Sequence, residues 1–161
     1  MKCIVTPNPN PPYNLRQISP AYGDSSFANL SEDEILQRVI DRHKEVGVIP
    51  ADASYWVVDT SELPEDDFFD AWEWNDGVVI NMTKARAIHL DAIRVVRNKE
   101  LASKDITFMR AVEDADTDAQ ATIKAEKQAL RDIPATFDIT TDVDTPEKLK
   151  AKWPTELPAR E

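Results

Sequence analysis

Near Met82 the hydrophobic pattern of this chain changes period, and that change limits the folds open to it. Up to that point apolar residues alternate in short stretches around one helical segment. Beyond it they recur every three to four residues. A short-strand region followed by a helix-only region specifies an α+β fold. The expected architecture is a small antiparallel sheet with one helix, followed by a C-terminal helical unit. At 161 residues the chain is one ordinary domain or two very small ones, with at most a modest core.

Five prolines, Pro7, Pro9, Pro11, Pro12 and Pro20, fall in the first twenty residues. Each fixes φ and lacks an amide donor, so this stretch reads as neither helix nor central strand. After a first strand over residues 2–6, an extended arm is expected to about Phe27. Its apolar anchors are Tyr13, Leu15, Ile18, Tyr22 and Phe27, and it lies on its own surface or a partner's. Ser31 and Glu34 form a capping box that starts a helix over about residues 32–46. Ile35, Val39, His43 and Val46 recur along it, and Gly47 follows as the left-handed stop. His43, on that stripe, reads as a half-buried histidine satisfied by hydrogen bonds.

Residues 55–59 read as a strand to be joined in one sheet with a hairpin over residues 68–82. A three-residue loop, Asn75-Asp76-Gly77, pairs Trp74 with Val78 and Trp72 with Ile80 and puts all four on one face, with Gly77 left-handed. A two-residue turn would set Trp72 against Asn81. Two tryptophans on one face can mark a binding platform, but core packing is the plainer reading. Thr83 caps a long helix to about Ser103, with Ala85, Ile88, Ala92 and Val95/Val96 on its buried face and Leu90, Ile93 and Leu101 widening it. Arg86, Arg97 and Lys104 share nearly one azimuth on it as a basic stripe, by default solvated. Asp105 can cap a separate short helix, and a further helix over residues 119–132, with Ile123 and Leu130 buried, is expected to end before Pro134. A short helix begins at Pro146. The resulting domain division is residues 1–30 (arm), 31–82 (small α+β domain), 83–134 (helical unit) and 135–161 (tail).

Several chemistries lack their parts. The three glycines, Gly23, Gly47 and Gly77, are isolated, so neither a phosphate-binding loop nor a dinucleotide fingerprint can form. One cysteine and two histidines make a structural zinc site a poor reading. Asp114, Asp116 and Asp118 have the first spacings of a calcium loop, but Ala119 replaces the turn glycine and Ala125 the bidentate glutamate. The acidic group Glu65, Asp66, Asp67 and Asp70 reads as a solvated loop. Neither His43 nor His89 is placed beside a nucleophile, and there is no nucleophile elbow. The expectation is no enzyme, no cofactor and no metal. No stretch has the apolar length of a membrane span or a signal peptide, which points to a reducing, cytosol-like compartment.

The net charge of −11 is unevenly spread. Residues 1–82 carry five Lys/Arg against fifteen Asp/Glu, whereas residues 83–161 carry fourteen against fifteen. Binding to nucleic acid would have to overcome the acidic half, so no nucleic-acid partner and no membrane is expected. Arg94 joins Arg86 and Arg97 as the basic residues offered to a partner. Acidic residues 59–76 and basic residues 83–112 could attract each other within or between chains, which leaves a homo-oligomer open.

The order Arg94-Val95-Val96-Arg97-Asn98, then Leu101 and Asp105, then Lys127-Gln128-Ala129-Leu130-Arg131-Asp132-Ile133-Pro134 and finally Trp153-Pro154 resembles the tail fibre assembly (tail chaperone) family of tailed bacteriophages. The resemblance covers roughly residues 84–158. It departs from the family where aromatics are usual, at Ile106, Ile123 and Glu126. It implies a tail fibre assembly chaperone working in the host cytoplasm, with a phage tail fibre or other tail protein as its partner. Tyr13, Tyr22, Arg86, Arg94, Arg97 and Trp153 are the candidate partner-binding residues. Two other readings stand beside it: a structural tail, baseplate or fibre-attachment component retained in the virion, and an acidic inhibitor that mimics nucleic acid.

Overall fold

A computed structural model describes residues 1–10 and 14–160; Tyr13 lies outside the described residues. The chain is α+β and divides into two compact units, residues 1–81 and 82–161.

In the first unit, β1 (Lys2–Pro7) is the middle strand of a three-stranded antiparallel sheet, between β2 (Leu15–Ile18) and β3 (Trp56–Asp59). The part of the expected arm over residues 15–18 is therefore a strand, and β1 is a central strand despite Pro7. The pairing geometry explains why. In an antiparallel ladder the backbone groups of successive residues point alternately to the two neighbours. Asn8 N donates to Asn14 O, so the even residues of β1 face β2 and the odd ones face β3. The nitrogen of Pro7 is thus directed towards Ser54, before β3 begins, and the Thr6 hydroxyl supplies the missing donor to Ser54 O at 3.0 Å.

Because β1 is central, both of its faces are buried. Cys3 and Val5 pack with Leu15, Val58, Trp72 and Val78 on one side, and Ile4 packs with Ile18, Leu36, Ile40 and Ile49 on the other. The second face is covered by α1 (Glu32–Glu45). Both arms of its capping box form, with Glu34 N donating to Ser31 Oγ at 3.3 Å and Ser31 N to the Glu34 carboxylate at 2.8 Å. Gly47 follows at φ +73°.

The first face is covered by a 3-10 segment, Asp66–Ala71, and by the hairpin of β4 (Trp72–Trp74) and β5 (Val78–Ile80). Its register pairs Trp72 with Ile80 and Trp74 with Val78, as the burial of the tryptophans requires. In the loop, Asp76 takes the left-handed position at φ +53° and Gly77 lies at φ +150°, also a conformation that side chains rarely adopt. The hairpin is its own two-stranded sheet and does not extend the one containing β3. Instead Trp74 stacks on Trp56 with centroids 4.1 Å apart, so the two sheets are joined through side chains.

The second unit opens with α2 (Met82–Glu113), which runs unbroken through the expected stop near Ser103. Neither proline nor glycine occurs there to break it, and the Asp105 carboxylate takes the ammonium of Lys127 rather than a cap position. The helix closes in a Schellman turn: Ala115 at φ +54°, with Asp116 N donating to Ala111 O and Ala115 N to Val112 O. Asp116 then caps α3 (Thr117–Thr136) through Ala119 N. The aspartate run is accordingly a helix stop followed by a helix start. Pro134 lies inside α3, in its last turn, where it removes only the bond to the Leu130 carbonyl.

Ile93, Leu130, Ile133 and Leu157 make the core of this unit, flanked by Val96, Leu101, Phe137 and Trp153. The buried residues of α2 are Ala85, His89, Ile93 and Ala111; Ala85 lies on the expected face and Ile93 on its expected margin, but Val95, placed on that face, is 69% exposed. Ile93 and Val95 are about 200° apart on a helix, so only one of the two can face α3. After α3, α4 (Pro146–Ala151) buries Leu149, and the tail returns Leu157 to the same core.

Candidate functional site

The residues singled out from sequence do not converge on one site. In the first unit, Tyr22 is tied down, its hydroxyl donating to Lys2 O at 2.6 Å. Burial, and after it the nearby Glu32 carboxylate, raise its pKa.

Arg86, Trp153, Arg94 and Arg97 lie in the second unit. Arg86 Nη2 donates to Val143 O at 2.7 Å, and Trp153 Nε1 donates to Pro158 O at 2.8 Å. Both hold the tail in place. Arg94 pairs with Asp91 at 2.5 Å on the exposed surface, and Arg97 turns to the Asn98 side chain. The basic stripe is solvated in part: Arg86 makes a part-buried bond to the tail, whereas Lys104 bonds Glu126 of α3 at 2.6 Å and Arg97 bonds Asn98 on the exposed surface.

Both histidines are structural. His43 Nδ1 lies 2.7 Å from Val39 O, and His89, fully buried, places Nε2 2.6 Å from Lys152 O with its ring edge-on to Trp153. Each bond to a carbonyl requires an N–H on that nitrogen. For His89, burial is the main cause that lowers the pKa. Cys3 is enclosed in the sheet core, and its thiol pKa is raised by burial and then by Asp59. Among the described residues no group of His, Cys, Asp and Glu could hold a metal, and no helix is long and apolar enough to cross a membrane.

The feature that sequence reasoning missed is on the sheet. β3 is an edge strand, and beside it runs a groove of about 570 Å³ between β3 and α1. Leu36 and Ile40 of α1 form its floor with Tyr55 and Val57, and Asp33, Asp59 and Glu62 line its rim. Val57 is 44% exposed, an apolar side chain open to solvent at the middle of the edge. Asp59 accepts from the N–H and hydroxyl of Ser61, which hold its carboxyl below the usual carboxylate range and keep it charged. Lys2 Nζ reaches Asp33 at 3.5 Å and is the basic side chain lining the groove. A strand order that puts residues 2–7 in the middle cannot be read from periodicity, so the open edge of β3 could not be either.

Fold and groove together define an α+β protein whose distinctive surface is an open sheet edge beside a helix. No family model matches the chain, and neither a curated protein nor a solved structure matches it.

Proposed function

We propose that the chain is an assembly chaperone for a bacteriophage tail fibre, binding the fibre protein while it folds. One observation carries this reading. The order of basic helix, Leu101, Asp105, the Lys127-to-Pro134 stretch and Trp153-Pro154, which resembles the tail fibre assembly family, spans residues 84–158, and these residues form a unit with a core of its own. Motif residues contribute to that core: Leu130 and Ile133 are buried in it, and Leu101 and Trp153 pack against it. A fibre of intertwined β-rich chains exposes strand edges before it closes, and a partner that shields them prevents aggregation.

Co-expression of the fibre protein with and without this chain, followed by size exclusion, tests the reading. The expected result is a higher soluble fibre yield and a complex of the two. Equal solubility with no co-elution overturns it. A stable complex that mass spectrometry also finds in finished particles replaces it with a component retained in the virion.

A further inference from the structure

The backbone of β3 has a direction that the ladder fixes. Thr60 N donates to Met1 O at 2.9 Å, so the Met1–Thr60 pair is hydrogen-bonded. By alternation Cys3–Val58 and Val5–Trp56 are hydrogen-bonded too, and Ile4–Val57 and Lys2–Asp59 are not. Residues of the second kind turn their N–H and C=O away from the partner strand. Val57 therefore presents a donor and an acceptor to the open edge and Asp59 a donor, its carbonyl starting the 3-10 turn Thr60–Glu62, and their side chains, with that of Tyr55, line the groove beside α1.

We propose that this edge and groove take up one extended strand of a partner protein, a segment whose groove-facing side chains, every second residue, are apolar and end in a lysine or arginine beside Asp59 and Glu62. An edge supplies main-chain bonds to any strand, and pockets for alternate side chains decide which strand is kept. Leu36, Ile40 and Val57 offer an apolar floor, which takes every second side chain of an extended peptide. Asp33, Asp59 and Glu62 stand against two ammoniums, Lys2 beside Asp33 and the N-terminus of Met1 3.5 Å from Asp59, which leaves the rim one negative charge in excess. At the other end Lys44 lies 4.9 Å from the Tyr55 ring centroid, so that excess sits at the Asp59–Glu62 end. Complementarity calls for lysine or arginine there. A second copy of this chain fits poorly, since β3 against β3 doubles the excess of carboxylates over the Lys2 and N-terminal ammoniums on one seam. The chaperone reading supplies the partner's identity, but the groove argument stands without it.

The test uses the full-length chain, isotope-labelled for NMR, and a capped synthetic peptide, Lys-Thr-Val-Thr-Val-Thr-Val, whose Lys and Val side chains share one face, compared with its counterpart bearing Glu in place of Lys. Binding is expected to shift the Val57 and Asp59 amides and to slow Val57 amide exchange at least about tenfold, with the Glu peptide at least about tenfold weaker. Val57→Pro removes an N–H that β1 does not use, so it should leave the β1 amide shifts in place and abolish binding. Val57→Lys, a milder change at an exposed position, should weaken the lysine peptide at least about tenfold. Unmoved amides over residues 55–59 at saturation, equal affinity for the two peptides, or undiminished binding by a folded Val57 variant each overturn the proposal. Fibre yield raised equally by the native chain and Val57→Pro overturns it and leaves the chaperone reading intact. Peptide capture with no effect on fibre yield does the reverse.

Discussion

Leu130→Ala probes the core that links α2, α3 and the tail. Leu130 is 4% exposed and packs with Ile93, Ile133 and Leu157. The substitution removes three buried carbons, at about 0.8 kcal/mol each, or about 2.4 kcal/mol of transfer free energy. An unrelaxed cavity adds up to about 2 kcal/mol more. Two of the walls, Leu157 and Trp153, lie on a non-helical tail whose local backbone bonding includes Leu157 N to Pro154 O, and can settle inward more easily than Ile93 or Ile133. The expected loss is therefore about 2.5–3.5 kcal/mol, within the range for buried leucines. A unit of this size is stabilised by roughly 0.05–0.15 kcal/mol per residue, so the change removes a large share of its stability. Arg131→Ala, one residue on and exposed, should cost less than about 0.5 kcal/mol. Urea melts followed by far-UV circular dichroism measure both. A Leu130→Ala midpoint no lower than that of Arg131→Ala would refute the packing argument, and equal large losses would make Arg131 structural.

His89 and the α1 cap give two further expectations. Burial lowers the His89 pKa below its ordinary value near 6.5, so the unfolded chain takes up the proton first. Its contribution to stability is complete above that ordinary value and is lost as pH falls through it towards the lower folded one. Urea midpoints should decline between about pH 7 and 5.5, and His89→Gln should flatten the decline; an unchanged slope would remove His89 as its source. Ser31→Ala deletes the acceptor for Glu34 N and the hydroxyl bond to the Glu34 carboxylate, leaving only the backbone N–H of position 31 on that carboxylate, and should cost about 1 kcal/mol in thermal melts. No loss would show that water replaces the box.

Local chemistry was legible where one side chain or one register decides. The Ser31 box needed only four residues, and the hairpin register followed from refusing to set Trp72 against Asn81. Both hold in the structure. What sequence could not supply is the choice between equivalent alternatives. α2 has apolar residues on opposite sides, Ile93 on one and Val95, Ile106 and Met109 on the other, and only α3 and the tail decide which side is core. Asp105 has the chemistry of a cap, yet its partner is Lys127, 22 residues away. The prolines argue against a central strand because only the identity of the neighbouring strands reveals that Pro7 stands at the end of the β3 ladder, where the Thr6 hydroxyl serves the Ser54 carbonyl in its place. For the candidate site, Tyr22, Arg86 and Trp153 were singled out by type, and each is spent on a backbone carbonyl of its own unit.

An open strand edge is a hazard to the protein that carries it, and the distribution of charge bears directly on that hazard. Edges pair with any strand of matching length unless charge, proline or a covering element prevents it. β2, the other edge, is followed within two residues by Pro20, and Arg16 is drawn off to Val48 O at 2.5 Å. β3 is followed by a 3-10 turn, Thr60–Glu62, and then by Pro64, which confines the exposed ladder to a few residues. What remains open has Asp59 at its end and Glu62 just beyond, in the half of the sequence with three times as many acidic as basic residues. Against another copy, or any acidic chain, that rim is repulsive; against a basic strand it becomes the selective element. Salt should therefore act in opposite directions on two events: weakening capture of the lysine peptide while relieving the repulsion that keeps copies of this chain apart. The same carboxylates account for both, which is why charge rather than a bulge or a covering helix suits an edge that must stay available.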